Sequence, residues 1–218
     1  DQYPEVADKI SVIHNGIRSS FHPQSYEERE AIKQKYTDGA AYFLSAGSIH
    51  PRKNGMNLLK AFSLFKKRQQ SSLKLVFAGR LAWKYEAFTQ SLKSYKYRND
   101  VILTGYLPDE ELAALTAGAY AMVYPSFFEG FGLPVAEAMQ SGVPVITSEN
   151  SAMQEIAGDA ALYADPHNIQ SIADQLMRIY KDERLRGELQ LKGLERAKAF
   201  DWDTAASQCW KAIEETIA

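Results

Sequence analysis

The chain has a single cysteine, Cys209, among 218 residues. It cannot close an internal disulfide, so the fold must stand on its core, and the usage fits a reducing compartment. An excess of charge is also missing. Lys and Arg number 25 against 27 Asp and Glu, a formal net charge of −2. That excludes a global pull toward nucleic acid or an anionic membrane. No apolar run approaches the length of a transmembrane helix. The opening DQYPEVADKI lacks a basic end followed by an apolar block and so does not read as a signal peptide. It also lacks an initiator methionine, as expected of a processed product or a piece of something longer. The histidines at 14, 22, 50 and 167 are scattered without metal-ligand spacing. There is no internal repeat, low-complexity segment or charge block.

The chain does have enough apolar residues, 45%, for a sizeable core in one large domain or two small ones. Short apolar runs recur: YFLSAG (42–47), LKLVFAG (73–79), VILTG (101–105), AYAMVYPS (119–126) and VPVITS (143–148). Most end at Gly, Ser or Pro, as buried parallel strands do. KISVIHNG (9–16) and AALYA (160–164) are candidate edge strands. Helical periodicity lies between them. Leu58, Leu59, Phe62 and Phe65 share one face, and Leu112, Leu115 and Ala119 another, after the acidic start at Pro108–Glu111. Ile169, Ile172, Ala173, Leu176, Met177 and Tyr180 repeat at the same spacing. From Lys181 onward the tail reads as helix, broken near AFDWD (199–203). Strand–helix alternation on this scale predicts an α/β fold, a Rossmann-like open parallel sheet with helices on both faces. Ligands of such sheets bind beyond the carboxyl ends of the strands.

The strand ends are where chemistry collects. After the first run, Arg52 and Lys53 stand in a turn that opens a helix, a natural anion site. Arg80 follows the second run as another cation on the same rim. YLPDEE follows the third, with turn backbone free to meet a flat ring. After the fourth comes FFEGFGLPVAEAMQSG, in which Glu129 and Glu137 flank a Gly-Phe-Gly turn with no cation between them. Pro134 and Gly142 suit a helix start and end, placing Glu137 in the first helical turn. Taken singly, Glu129 is a loop acid and Glu137 a partner for the helix dipole. Together with Arg52 and Lys53 they offer acceptors for vicinal hydroxyls beside cations for phosphate, the combination a sugar nucleotide requires. Asp201-Trp202-Asp203 has the form of a metal-binding Asp-x-Asp, but it precedes an apolar-periodic helix and reads as an N-cap.

Glu129-x7-Glu137, within EGFGLPVAEAMQSGVPVITS, resembles the signature of family 4 retaining glycosyltransferases. GSIHPRKN resembles their phosphate loop, VILTGYLPDEELAALTAGAYAMVYPS their nucleotide-side segment, HNGI (14–17) the point where the linker enters the donor domain, and FDWDTAASQCW (200–210) the closing helix. The resemblance spans essentially the whole chain. It implies the second half of a GT-B fold, the nucleotide-sugar domain. Residues 1–24 would then be the linker from a missing N-terminal domain, 25–200 the Rossmann-like donor domain, and 201–218 a helix crossing back toward the missing half. It also implies roles. Arg52 and Lys53 would hold the donor diphosphate as it leaves, with Arg80 nearby. Glu137 would accept from the ribose hydroxyls. Glu129, with the backbone of Gly130, Phe131, Gly132 and Leu133, would hold the donor sugar, and Tyr106 and Leu107 would border the base. In one departure, many members carry an arginine soon after the glycine of SAG, where Ser48 follows Gly47 here. That leaves more of the phosphate role to Arg52 and Lys53.

The expected activity of the whole enzyme is transfer of a sugar from a nucleoside diphosphate sugar to an acceptor hydroxyl, with retention. No metal or other cofactor is expected. The expected partners are the donor and, through the missing half, a carbohydrate or lipid-linked acceptor. The chain alone would be inactive and prone to self-association through its last helix. A cytoplasmic location follows, at the inner membrane face in the full-length protein. A nucleotide-sugar epimerase, a phosphorylase and a non-catalytic sugar-nucleotide module stay open as alternatives.

Overall fold

A computed structural model describes residues 9–217. Its centre is one sheet of six strands: β1 (Tyr42–Ala46), β2 (Lys74–Ala78), β3 (Val101–Gly105), β4 (Ala121–Tyr124), β5 (Val145–Ser148) and β6 (Ala161–Ala164). The order is β3-β2-β1-β4-β5-β6, and every neighbouring pair is parallel. The order reverses between β1 and β4, which makes their carboxyl ends the topological switch point where ligands of such sheets bind. β1, β4 and β5 are buried along their whole length. That explains why they read as continuous apolar runs rather than alternating ones.

The helices are α1 (Tyr26–Thr37), α2 (Gly55–Gln69), α3 (Glu86–Lys93), α4 (Asp109–Ala117), α5 (Leu133–Gln140), α6 (Ala152–Ala157), α7 (Ile169–Lys181), α8 (Glu183–Ala197) and α9 (Trp202–Ile217). They cover both faces. On one, Leu58, Phe62 and Phe65 of α2 pack with Ile172, Leu176 and Ile179 of α7 over Phe43, Leu75 and Val123 of the sheet. On the other, Leu115 of α4, Val135 and Met139 of α5 and Ile156 of α6 pack over Leu44, Val76 and Met122. Phe21, fully buried, joins this second face from the segment before α1.

The structure departs from the expectations in four places. Residues 10–16 run without regular structure, so there is no edge strand over 9–16 among the described residues. The segment pairs with neither edge strand, β3 nor β6. Ser11, Val12 and Ile13 lie instead beside Gln208, Lys211 and Ala212 of α9. Residues 1–8 of the expected linker, and Ala218, lie outside the described residues. Ala119 falls past the end of α4. Three helices were not read at all: α1, α3 and α6. Finally, Glu137 is not in the first helical turn. Gly132 is the N-cap of α5, so Leu133 is its first residue and Glu137 its fifth.

The tail breaks where expected. Asp201 caps α9, its Oδ2 accepting from the Thr204 amide at 2.8 Å and its hydroxyl at 2.9 Å. Gly16 is required by this arrangement, since a Cβ there would lie 2.4 Å from the Trp202 ring.

Candidate functional site

Three strand-end loops converge at the switch point. Pro51–Lys53 forms a single 3-10 turn after β1, capped by His50, whose Nδ1 accepts from the Arg52 amide. The next residue, Asn54, is 3% exposed. Its Nδ2 donates to Pro125 O at 2.9 Å and to Pro166 O at 2.7 Å, tying the loops after β1, β4 and β6 together. The Phe127 amide donates to Arg52 O at 2.9 Å, so the β4 loop is pinned directly against the cationic turn.

Glu129 sits at the middle of this junction, 7% exposed. Arg52 Nη1 is 2.5 Å from its Oε2, and Lys53 Nζ is 2.8 Å from its Oε1. Tyr124, at the end of β4, donates its hydroxyl to Glu129 Oε1 at 3.1 Å and accepts from Lys53. The Glu129 amide donates to Ser151 Oγ at 3.2 Å. Burial pushes the Glu129 carboxyl up, but Arg52 and Lys53 outweigh it and hold it below the usual carboxylate range. Burial lowers Lys53 below its ordinary value despite Glu129. Burial beside Glu129 carries the Tyr124 phenol well above its ordinary value. Two cations against one carboxylate leave this cluster with a net charge of +1, suited to an anion. On its other side Lys53 helps wall a cavity of about 250 Å³, lined also by Gly47, Ile49, Phe77 and Phe88.

The turn that follows has two different glycines. Gly132 has φ 100, and a Cβ would be 2.2 Å from the Met153 methyl, so the fold itself needs glycine there. At Gly130 a Cβ would meet nothing within 4 Å, so no described residue demands glycine there. The amides of Gly130, Phe131, Gly132 and Leu133 have no hydrogen bond to a described residue. They stand at the positive end of α5. The Phe131 ring turns inward, packing edge-on to Phe200 at 5.6 Å.

Glu137, 4% exposed, lies further along α5 in a different setting. Its partner is Arg18, from the segment before α1. Arg18 donates Nη2 to Glu137 Oε1 at 2.6 Å and Nε to the same oxygen at 3.2 Å. Its Nη1 is 2.5 Å from Asp109 Oδ1 at the start of α4. Burial raises the Glu137 carboxyl above its ordinary value; Arg18 opposes this and Asp109 adds to it.

The remaining expected residues are spread along the same rim. Tyr106 is 74% exposed after β3, while Leu107 packs partly into the core beneath α4 and α5. Arg80 is exposed after β2, its carbonyl accepting from the Ile49 amide at 2.9 Å. Leu133 is partly exposed at the start of α5. The structure thus brings Arg52, Lys53 and Glu129 into one ion-paired cluster and leaves Glu137, Tyr106 and Arg80 apart from it. Arg18, Tyr124 and Asn54 were not anticipated. Asn54 reads as an ordinary Asn-Gly turn and Tyr124 as a strand residue. Arg18 carries no local signal, because both of its partners are far along the chain. Among the described residues, no group of three or more His, Cys, Asp or Glu is placed to hold a metal ion.

Residues 27–196 match the model of the family described as glycosyl transferases group 1. O-antigen chain mannosyltransferase B of Escherichia coli is 35% identical over 213 residues, 97% of this chain and 55% of that protein. The chain therefore spans little more than half the length of that relative. Among solved structures, HepE of Anabaena in complex with UDP and glucose superposes with a TM-score of 0.84 at 17% identity, over 94% of this chain and 56% of that one. The C-terminal domain of the group 1 glycosyl transferase LpcC from Francisella tularensis superposes with a TM-score of 0.71 at 24% identity, over 83% of this chain and 95% of that one. At these identities the structural likeness is one of fold. The family match and the E. coli relative establish more: this chain belongs to the glycosyl transferases group 1 family.

Proposed function

We propose that the chain is the donor-binding half of a retaining glycosyltransferase of family 4, and that it holds a nucleoside diphosphate sugar across the switch point of its sheet. The observation that carries this reading is the Arg52–Glu129–Lys53 cluster, pinned between the loops after β1 and β4 and carrying surplus positive charge. Arg52 and Lys53 face the diphosphate and stabilise the charge that grows on it as the sugar departs. Free amides at the start of α5 add donors to the same region. Glu129 is shared between the two cations and the sugar hydroxyls, and Glu137 accepts from the ribose. Tyr106 and Leu107 border the base, and Arg80 lies on the same rim. The chemistry needs no metal, since fixed cations do the electrostatic work.

A mannosyl donor is the first to test, because a relative of this identity is named a mannosyltransferase. The same name favours transfer to an acceptor over epimerisation, phosphorolysis or mere sensing. Acceptor binding, whether of a carbohydrate or a lipid-linked sugar, falls to the half of the enzyme that precedes this chain, and the whole works in the cytoplasm. α9 supports that division. Trp202, Trp210, Ile213 and Ile217 are all exposed along it, an apolar stripe left uncovered among the described residues.

Calorimetry of this chain with UDP, GDP and their hexose conjugates tests the reading. Weak binding of one diphosphate and its sugar conjugate, with no sugar transfer, is expected. Robust transfer by this chain alone would overturn the assignment of the acceptor to another half, and no binding of any conjugate would overturn the donor site itself.

A further inference from the structure

We infer that Arg18 is a positioning residue for the nucleotide: it occupies one oxygen of the buried Glu137 and leaves the other aimed at the ribose. The inference rests on the ribose role proposed for Glu137. Its geometry is asymmetric. Both Arg18 nitrogens that reach Glu137 meet the same oxygen, Oε1, at 2.6 and 3.2 Å. No described residue donates to Oε2, and the Glu137 side chain keeps 6% of its surface open. One carboxylate oxygen is thus occupied and the other left for a ligand donor. A hydroxyl pair on a ribose is such a donor.

The arginine is itself held from several sides. Its Nη1 is 2.5 Å from Asp109 Oδ1, its guanidinium lies 4.8 Å from the centre of the Phe21 ring, and Gln140 Nε2 donates to its carbonyl at 3.2 Å. Gln140 also donates to Phe21 O at 2.7 Å. Gln140 is on α5, three residues beyond Glu137, so the helix that carries the carboxylate also fixes the segment that carries its counter-ion. A guanidinium so restrained loses little freedom when it holds the carboxylate in one rotamer.

The charges facing Glu137 explain why a cation is needed. They are Arg18 from the segment before α1 and Asp109 from α4. Without Arg18, a buried carboxylate would face only a second carboxylate. Both burial and the like charge favour its protonated form, which donates where it must accept. The position before α1 also has a consequence. The segment before α1 thereby makes direct contact with the proposed nucleotide subsite.

The test compares UDP and GDP with their 2′,3′-dideoxy counterparts by calorimetry from mildly acidic to mildly basic pH. The wild-type chain should prefer the ribose form of the diphosphate it binds by about tenfold or more. In Arg18→Ala that preference should collapse at low pH and recover as pH rises, and Arg18→Lys should restore part of it. A uniform loss for ribose and dideoxyribose forms alike, without a pH trend, would mean that Arg18 only braces the fold and would overturn the inference. No ribose preference in the wild type would instead reject the ribose role of Glu137, separating that failure from this one.

Discussion

Glu129 and Glu137 are the same residue type, both almost fully buried at the rim of one sheet, yet their carboxyls shift in opposite directions. Burial raises both. What differs is the company. Glu129 has two cations, each with a nitrogen within 2.8 Å, and a backbone amide held by Ser151, two residues past the Phe127 amide that donates to Arg52 O. Glu137 has one cation, which it shares with Asp109. A buried carboxylate is therefore strongly ionic or poised according to its count of unshared positive neighbours, more than according to its depth. The first arrangement suits a structural hub that organises cations for phosphate. The second suits an acceptor that must be kept ready for a hydroxyl.

The largest expected difference between them is in stability. Glu129→Gln leaves Lys53, 17% exposed, beside Arg52 with no carboxylate between them. Breaking a buried pair costs about 3–5 kcal/mol. Arg52 is 41% exposed, which places this loss toward the lower end of that range. Glu137→Gln relieves a charge that burial already disfavours, and Arg18 keeps Asp109, so a change under about 1 kcal/mol is expected. Urea unfolding of both variants checks this, and equal losses would erase the distinction between the two carboxylates.

Arg52→Ala and Lys53→Ala should each weaken pyrophosphate by about 1.5–3 kcal/mol, ten- to a hundredfold. Glu137→Gln should leave pyrophosphate untouched. Titration of pyrophosphate into the variants decides it; if neither cation matters, the phosphate site moves along the rim and Arg80 is the next residue to change.

The pH response should separate the two again. Glu129 is depressed when folded, so its contribution is present above the ordinary carboxylate value and lost as pH falls through its folded value. Glu137 is raised, so its contribution has the opposite sign. It is complete below the ordinary value and lost as pH rises through the raised one. On acidification from neutrality, Glu137 protonates first. Nucleoside diphosphate affinity should therefore fall while the fold is still intact, and only at lower pH should loss of the Glu129 cluster begin to unfold the chain. Calorimetry alongside circular dichroism across the acid range follows both events, and Glu137→Gln should flatten the first. The smallest expected effect is that of a chelator. EDTA should leave nucleoside diphosphate binding unchanged for the wild type; loss restored by Mg²⁺ or Mn²⁺ would return Asp201 and Asp203 to consideration as ligands.

The central strands were legible because strands buried on both faces read as unbroken apolar runs ending in Gly, Ser or Pro. α2, α4, α7 and the broken tail were legible from their periodicity. α1 was missed because half of YEEREAIKQKYT is charged and it buries only Ile32 and Thr37. The signal it did offer was the Ser25–Glu28 capping box, a S-x-x-E pattern that the structure closes in both directions. KISVIHNG misled because alternation describes a strand's faces but says nothing about whether a neighbour is present. At the site, Arg52, Lys53 and Glu129 were each readable as strand-end residues. Their mutual ion pairing was not, since Glu129 lies 76 residues from Lys53. Arg18 lies 119 residues from Glu137, and only the folded chain brings them together.

In the proposed function the two carboxylates divide the donor between them. Calorimetric titration of Glu129→Gln and Glu137→Gln, each with a nucleoside diphosphate and its hexose conjugate, tests it most directly. Glu137→Gln should weaken both ligands alike. Glu129→Gln should weaken the sugar conjugate relative to the bare diphosphate, whose phosphates still meet Arg52 and Lys53. The same loss for both ligands in both variants would contradict the division.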